Sequence, residues 1–198
     1  RTRPPKLHSA EAIKKTEPVI DTDGVRGGIE YRDAYLRDND ARFVFGFVRS
    51  AIEAGAAVAN YVDLVDAQRS DGHWQLGLAD LESGERLELK ARTIVNAAGP
   101  YVDGLNSAWG VTTEHRIVYS KGIHLIVPRL TTTEHQRVLA FFDDSGRLFY
   151  VIPMGIRSVI GTTDTRTDDP RAGVTDDDRA FLLDQINKRL DLPKPLTT

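Results

Sequence analysis

The chain has 198 residues, 40% of them hydrophobic and 28% charged, with a net charge of −3 and no cysteine. That composition suits a globular chain with one good core or two small ones. It excludes disulfides and thiolate catalysis, offers no global attraction for nucleic acid or an anionic membrane, and contains no run near the roughly 18 apolar residues of a membrane span.

In "RTRPPKLHSAEAIKKTEPVI", Ser9 is placed to cap a short helix through Lys15, with Pro18 limiting it. "DGVRGGIEYRDAYL" reads as a glycine-rich turn feeding a strand, and it lacks the G-x-G-x-x-G register of a dinucleotide loop. Asp38 or Asn39 then caps a longer helix. Its apolar residues Ala41, Phe45, Val48 and Ile52 lie along one face, and Gly55 closes it. Ser70-Asp71-Gly72 and Ser83-Gly84 separate three segments of period two, which together read as a β-meander.

The meander runs into "ARTIVNAAGPYVDGL". Thr93-Ile94-Val95 is short, apolar and β-branched, as in a strand covered on both faces that runs through Asn96. Ala97, Ala98 and Gly99 then remove side-chain bulk, and Pro100 fits the first turn of a short helix over residues 100–109. Such a turn either lets a ligand approach the backbone, with an anion favoured at the helix start, or is a tight connection and nothing more. Beyond it, "HRIVYSKGIHLIVPR", "RVLAFFDD", "RLFYVIPM" and "SVIGTTD" are successive strands with little helix between them, hence an antiparallel sheet and a second domain. Thr175-Asp176-Asp177-Asp178 opens a final helix through Leu190 with a capping box. Its expected buried face is Ala180, Phe181, Leu183 and Ile186.

Among titratable groups His124 stands out. Alternation sets it opposite Ile123 and Leu125, just after Gly122, where it either exchanges a proton near neutral pH or is a hydrogen-bonded structural histidine. Lys121 either attracts an anion or is simply solvated. In "IGTTDTRTDDP", Gly161 permits close backbone approach while Thr162, Thr163 and Asp164 offer polar atoms at a strand end; an Asp/Thr turn is the alternative. Asp168 and Asp169 lack the continuation of a calcium loop. His8, His73, His115 and His135 lack zinc spacing and are expected at the surface, so no metal is expected. There is no nucleophile elbow, no Walker loop, and no dense basic run interleaved with aromatics, so nucleic-acid binding has little support and is not expected.

In order and spacing, "GGIEYRDAYLRDNDAR", the meander, "TIVNAAGPYVDGL", "RIVYSKGIHLIVPR", "FYVIPM" and "SVIGTTDT" resemble the FAD-dependent (aerobic) glycerol-3-phosphate dehydrogenases. Related glycine oxidase-like and D-amino-acid oxidase-like enzymes share the fold but not this set. The resemblance implies an α+β chain with two parts. One is a partial Rossmann-like FAD-binding domain with a meander, over residues 36–110. The other is an antiparallel substrate domain over residues 111–198, into whose sheet residues 1–35 lead. It implies that Val62 passes the adenine side of FAD, and that Ala97, Ala98, Gly99 and Pro100 lie near the pyrophosphate. It also sets His124 on the substrate side as base or polariser, with Thr163 and Lys121 near the same pocket. The implied reaction is oxidation of sn-glycerol 3-phosphate to dihydroxyacetone phosphate by hydride transfer to FAD. Electrons would pass to a quinone, and the parent enzyme would sit in the cytoplasm at the membrane surface. A related FAD-dependent amine or 2-hydroxy-acid oxidase and a non-catalytic binding module are the alternatives.

Two family features are absent, the G-x-G-x-x-G unit that anchors FAD and a later glycine-valine-arginine-proline segment whose arginine helps bind phosphate. Arg1 and "KPLTT" read as cuts. The chain alone is therefore expected neither to retain FAD nor to turn over glycerol 3-phosphate, and yellow purified protein at unit flavin stoichiometry would contradict this. Apolar strands left without neighbours, residues 93–96 especially, are expected to favour strand exchange or a homodimer.

Overall fold

The computed structural model describes residues 4–34, 36, 39–131 and 137–197. Strand β1 (Lys6–Ser9) leads into helix α1 (Ala10–Thr16), where Ser9 Oγ accepts the Ala12 N–H at 3.2 Å as the expected N-cap. Strand β2 (Gly27–Glu30) pairs antiparallel with β1 in a two-stranded ribbon. A Cβ at Gly27 would lie 2.6 Å from the His8 carbonyl oxygen, so this ribbon needs glycine there. Of the expected surface histidines, His73 and His115 are exposed, and His135 lies outside the described residues. His8 differs: it is half-buried, with Nε2 at 2.9 Å from Glu30 across the ribbon.

Helix α2 (Asn39–Glu53) follows. Asp38 lies outside the described residues, and the Asn39 side chain accepts the Arg42 N–H at 3.0 Å. Gly55, at φ +91°, ends the helix as its sequence position suggests. The expected face is not buried, however: none of α2 is, and Phe43 and Phe47 meet edge-on in the open with centroids 5.1 Å apart. Apolar periodicity states what a helix is able to bury; it does not supply the surface that covers it.

Strands β3 (Val62–Ser70), β4 (His73–Asp80) and β5 (Arg86–Ala91) form the expected meander, in that order and antiparallel. Asp71 and Gly72 both have positive φ, 50° and 77°, as a two-residue type I′ hairpin requires. The strand expected at residues 93–96 does not form. They join no ladder among the described residues, and Val95 is 85% exposed. A β-branched run becomes a strand only when a neighbour satisfies its backbone. A 3-10 turn (Gly99–Tyr101) then enters helix α3 (Val102–Ala108).

Strands β6 (Ser120–Lys121), β7 (His124–Pro128), β8 (Leu139–Phe142), β9 (Leu148–Met154), β10 (Arg157–Gly161) and β11 (Thr165–Arg166) follow. Four of them make the expected antiparallel sheet, in the order β7-β10-β9-β8, and β11 pairs with β6. Helix α4 (Asp176–Arg189) opens with the expected capping box between Thr175 and Asp178. Its buried face is Asp178, Leu182, Gln185 and Ile186, so Ile186 is placed correctly, while Ala180, Phe181 and Leu183 are not. The triplet Phe181-Leu182-Leu183 is apolar throughout, so its phase is set by tertiary packing. Asp178 and Gln185, both polar, complete the i, i+4, i+7 stripe.

The chain divides into two compact units: Arg1–Asp33 with Val118–Thr198, and Ala34–Ile117. The first holds a core of Val19, Leu139, Phe149, Val151, Ile160, Ile186 and Leu190. Among the described residues of the second, the buried hydrophobics are Ala67 and Leu76.

Candidate functional site

In the first unit the candidate residues lie on two adjoining stretches, 120–124 and 161–164. His124 opens β7 with its side chain exposed, while Ile123 before it is 6% exposed and Leu125 after it packs on the core. His124 pairs in register with Gly161, and a Cβ at Gly161 would collide with the imidazole. The ring thus lies against bare main chain, and only glycine leaves it room. Gly122 is equally constrained, since a Cβ there would lie 2.6 Å from Thr162 Oγ1 and 3.0 Å from the Thr163 carbonyl oxygen.

Thr163 is 3% exposed. Its Oγ1 accepts the Ile123 N–H at 3.0 Å and donates to the Lys121 carbonyl at 3.5 Å. The hydroxyl is engaged on both sides by backbone. Lys121 is also engaged: its Nζ lies 2.6 Å from Asp178 Oδ2 and donates to the Gly173 carbonyl at 3.1 Å. Thr162 Oγ1, by contrast, is exposed and donates to the Thr163 carbonyl at 2.9 Å. His124 is exposed, and no hydrogen-bond partner of its ring occurs among the described residues.

Two residues that the sequence did not single out complete this region. Arg147, in the β8–β9 hairpin, donates from Nη1 to the Asp164 carbonyl at 2.7 Å. Asp143 organises that hairpin, accepting at Oδ1 from the Ser145 hydroxyl at 2.6 Å and from the Ser145 and Arg147 amides. The Asp-Asp-Ser-Gly stretch at 143–146 is a readable turn signal; the reach from Arg147 to Asp164 is not.

Two carboxyls here are strongly acidified. The Lys121 ammonium, followed by the Thr175 amide, lowers Asp178 to about 2. The Ser145 hydroxyl, with the Arg147 and Ser145 amides, lowers Asp143 to about 2. A depressed folded-state value means stability that is fully present above the ordinary carboxyl range and is lost as pH falls through the folded value. The urea midpoint of the first unit is therefore expected to hold from pH 7 to about 5 and to fall between about 4 and 2. A combined Asp143→Asn and Asp178→Asn variant should flatten that fall. An equally steep fall in the variant would contradict the assignment.

In the second unit Val62 opens β3, half-buried, opposite Asp80. Asn96 builds the turn that follows the meander. Its Nδ2 donates to the Val102 carbonyl at 3.1 Å and to Asn106 Oδ1 at 2.8 Å, and its Oδ1 accepts the Ala98 N–H at 3.3 Å. Ala98 is half-buried; Ala97, Gly99 and Pro100 are exposed. Gly99 has φ +55°, and nothing lies within 4 Å of where its Cβ would be. Glycine is required there for conformation, and the turn presents uncluttered main chain. The turn leaves room for a group to approach its main chain. Among the described residues, no group of three or more His, Asp or Glu is placed to hold a metal ion, and no helix is long and apolar enough to cross a membrane.

The chain belongs to the DAO family of FAD-dependent oxidoreductases, whose family model matches residues 2–197. Among curated proteins it is similar to the aerobic glycerol-3-phosphate dehydrogenase of Staphylococcus haemolyticus (strain JCSC1435), 30% identical over 186 residues, covering 92% of this chain and 33% of that protein. The enzyme of the same name from Staphylococcus aureus (strain MRSA252) is 29% identical over 185 residues, covering 91% of this chain and 33% of that protein. The chain thus spans about a third of the length of these relatives. Among solved structures it is similar to the glycerol-3-phosphate dehydrogenase from Bacillus halodurans complexed with FAD. The TM-score is 0.77 at 25% identity, covering 96% of this chain and 41% of that one. The FAD-dependent oxidoreductase family and the α+β fold that the resemblance implied are those of the chain.

Proposed function

We propose that this chain is part of an enzyme that oxidises sn-glycerol 3-phosphate to dihydroxyacetone phosphate. The observation that carries the reading is the exposed His124 imidazole, seated against Gly161 main chain on a strand pinned by Thr163, in a chain whose relatives are named for this reaction. The first unit, with its antiparallel sheet, serves the substrate side. The second is the partial FAD-binding domain, with Val62 beside the adenine end and the open turn of Ala97, Ala98, Gly99 and Pro100 beside the pyrophosphate. The FAD that these residues would hold would supply the acceptor for the hydride of C2. His124 takes the C2 hydroxyl proton at a ring nitrogen, so that the alcohol becomes a ketone. Thr163 holds the strand on which His124 stands. A quinone acceptor, cytoplasmic placement at the membrane surface and a homodimer belong to the same reading.

The test is a dye-linked assay of the protein encoded by the complete reading frame, with glycerol 3-phosphate, glycine and 2-hydroxyglutarate offered separately. Glycerol 3-phosphate is expected to be preferred in kcat/KM by about 100-fold or more. Preference for either other compound would move the assignment to an amine or 2-hydroxy-acid oxidase. Inactivity towards all three, with no flavin bound, would make it a binding module.

A further inference from the structure

The Lys121–Asp178 contact joins parts of the chain that are far apart in sequence, and both side chains are nearly closed off, 13% and 5% exposed. Taking such a pair out of water costs desolvation that its attraction barely offsets, so the pair is better understood by what it fixes in place. One end is rigid. Asp178 is the third residue of α4 and caps it, its Oδ2 accepting the Thr175 N–H at 2.9 Å and the Thr175 hydroxyl at 2.8 Å. One and two turns further on, α4 buries Leu182 and Ile186 completely.

The other end leads directly to the candidate site. Lys121 is followed by Gly122, which tolerates no side chain, then by Ile123, whose N–H is held by Thr163, then by His124. Lys121 also pairs with Thr165 in the β6–β11 ladder. Its Nζ already serves Asp178 and the Gly173 carbonyl. A lysine so neutralised and enclosed is poorly suited to meet a substrate anion.

We infer that the Lys121–Asp178 pair is a positioning device: by clamping β6 to the start of α4 it sets where His124 stands, and Lys121 serves the site through that clamp rather than as a substrate ligand. The inference rests on the proposed role of His124. Asp178 and Lys121 are positioning residues, since neither is expected to touch the reacting atoms.

Hydrogen exchange on this chain, followed by NMR, tests the clamp without reference to the reaction. In Lys121→Met and in Asp178→Asn, the Ile123 amide is expected to exchange about tenfold or more faster than in the unmodified chain. The Ile160 amide, in the middle of the sheet, should stay within about twofold. Lys121→Met leaves the capping box of α4 intact, so agreement between the variants assigns the effect to the pair. An unchanged Ile123 amide, or equal acceleration of Ile123 and Ile160, overturns the clamp.

In the complete protein both variants should lower kcat by about tenfold while the KM for glycerol 3-phosphate stays within about twofold. A KM raised about 100-fold in Lys121→Met alone would make Lys121 a direct phosphate ligand and overturn the inference. Failure of the complete protein to oxidise glycerol 3-phosphate would remove the proposed function, while the exchange measurement would still decide the clamp.

Discussion

Replacing His124 by alanine in the complete protein is expected to lower kcat for glycerol 3-phosphate by about 100- to 10,000-fold, the usual contribution of a positioned general base. That corresponds to about 3–5 kcal/mol of transition-state stabilisation. The proposal predicts a large effect because no neighbour is placed to substitute. The Thr163 hydroxyl is engaged by the Ile123 amide and the Lys121 carbonyl, and the Lys121 ammonium by Asp178. Stability should hardly change, because the His124 side chain is exposed and outside the core. Steady-state kinetics beside a thermal melt separate the two effects. Activity within about twofold of the unmodified protein would return His124 to a structural role.

The second large effect is on stability. Ile160→Ala is expected to destabilise the first unit by about 3–4 kcal/mol, within the range for truncating a fully buried large aliphatic. Ile160 is 0% exposed in the second strand of the sheet, between Leu125 on β7 and Val151 on β9, and it belongs to the same core cluster as Ile186 on α4. With neighbours on both sides and a helix in the same core, collapse around the cavity is limited. Ile126→Ala is the control: the same atoms are deleted one strand away, but Ile126 is 63% exposed, and the cost should stay below about 1 kcal/mol. Urea titrations followed by circular dichroism report both. Equal losses would mean that the β7 surface is covered in solution.

Local chemistry made much of the fold legible in the sequence. The meander followed from two turn signals, and Asp71-Gly72 turns the way that dipeptide allows. Ser9 and the Thr175–Asp178 box begin helices where capping chemistry puts them. Features that need a distant partner were not legible. Residues 93–96 have strand composition and join no strand among the described residues, and no residue on the apolar side of α2 is buried. The phase of α4 depended on polar Asp178 and Gln185 being buried, which apolar periodicity cannot show. In the candidate site, the pairing of His124 with Gly161 was accessible only as two glycine-flanked stretches of suitable chemistry. The reach of Lys121 to Asp178 and of Arg147 to Asp164 left no mark in local sequence, because each is a long side chain meeting a group brought near only by the fold.

The most direct test is to mix the flavin-loaded complete protein with glycerol 3-phosphate without oxygen or dye and follow the visible flavin absorbance. The oxidised flavin band is expected to bleach with one equivalent of substrate, yielding dihydroxyacetone phosphate, and His124→Ala is expected to slow the bleaching by about 100-fold or more while still holding flavin. A band that persists with glycerol 3-phosphate, or bleaches equally fast in His124→Ala, would contradict the proposal.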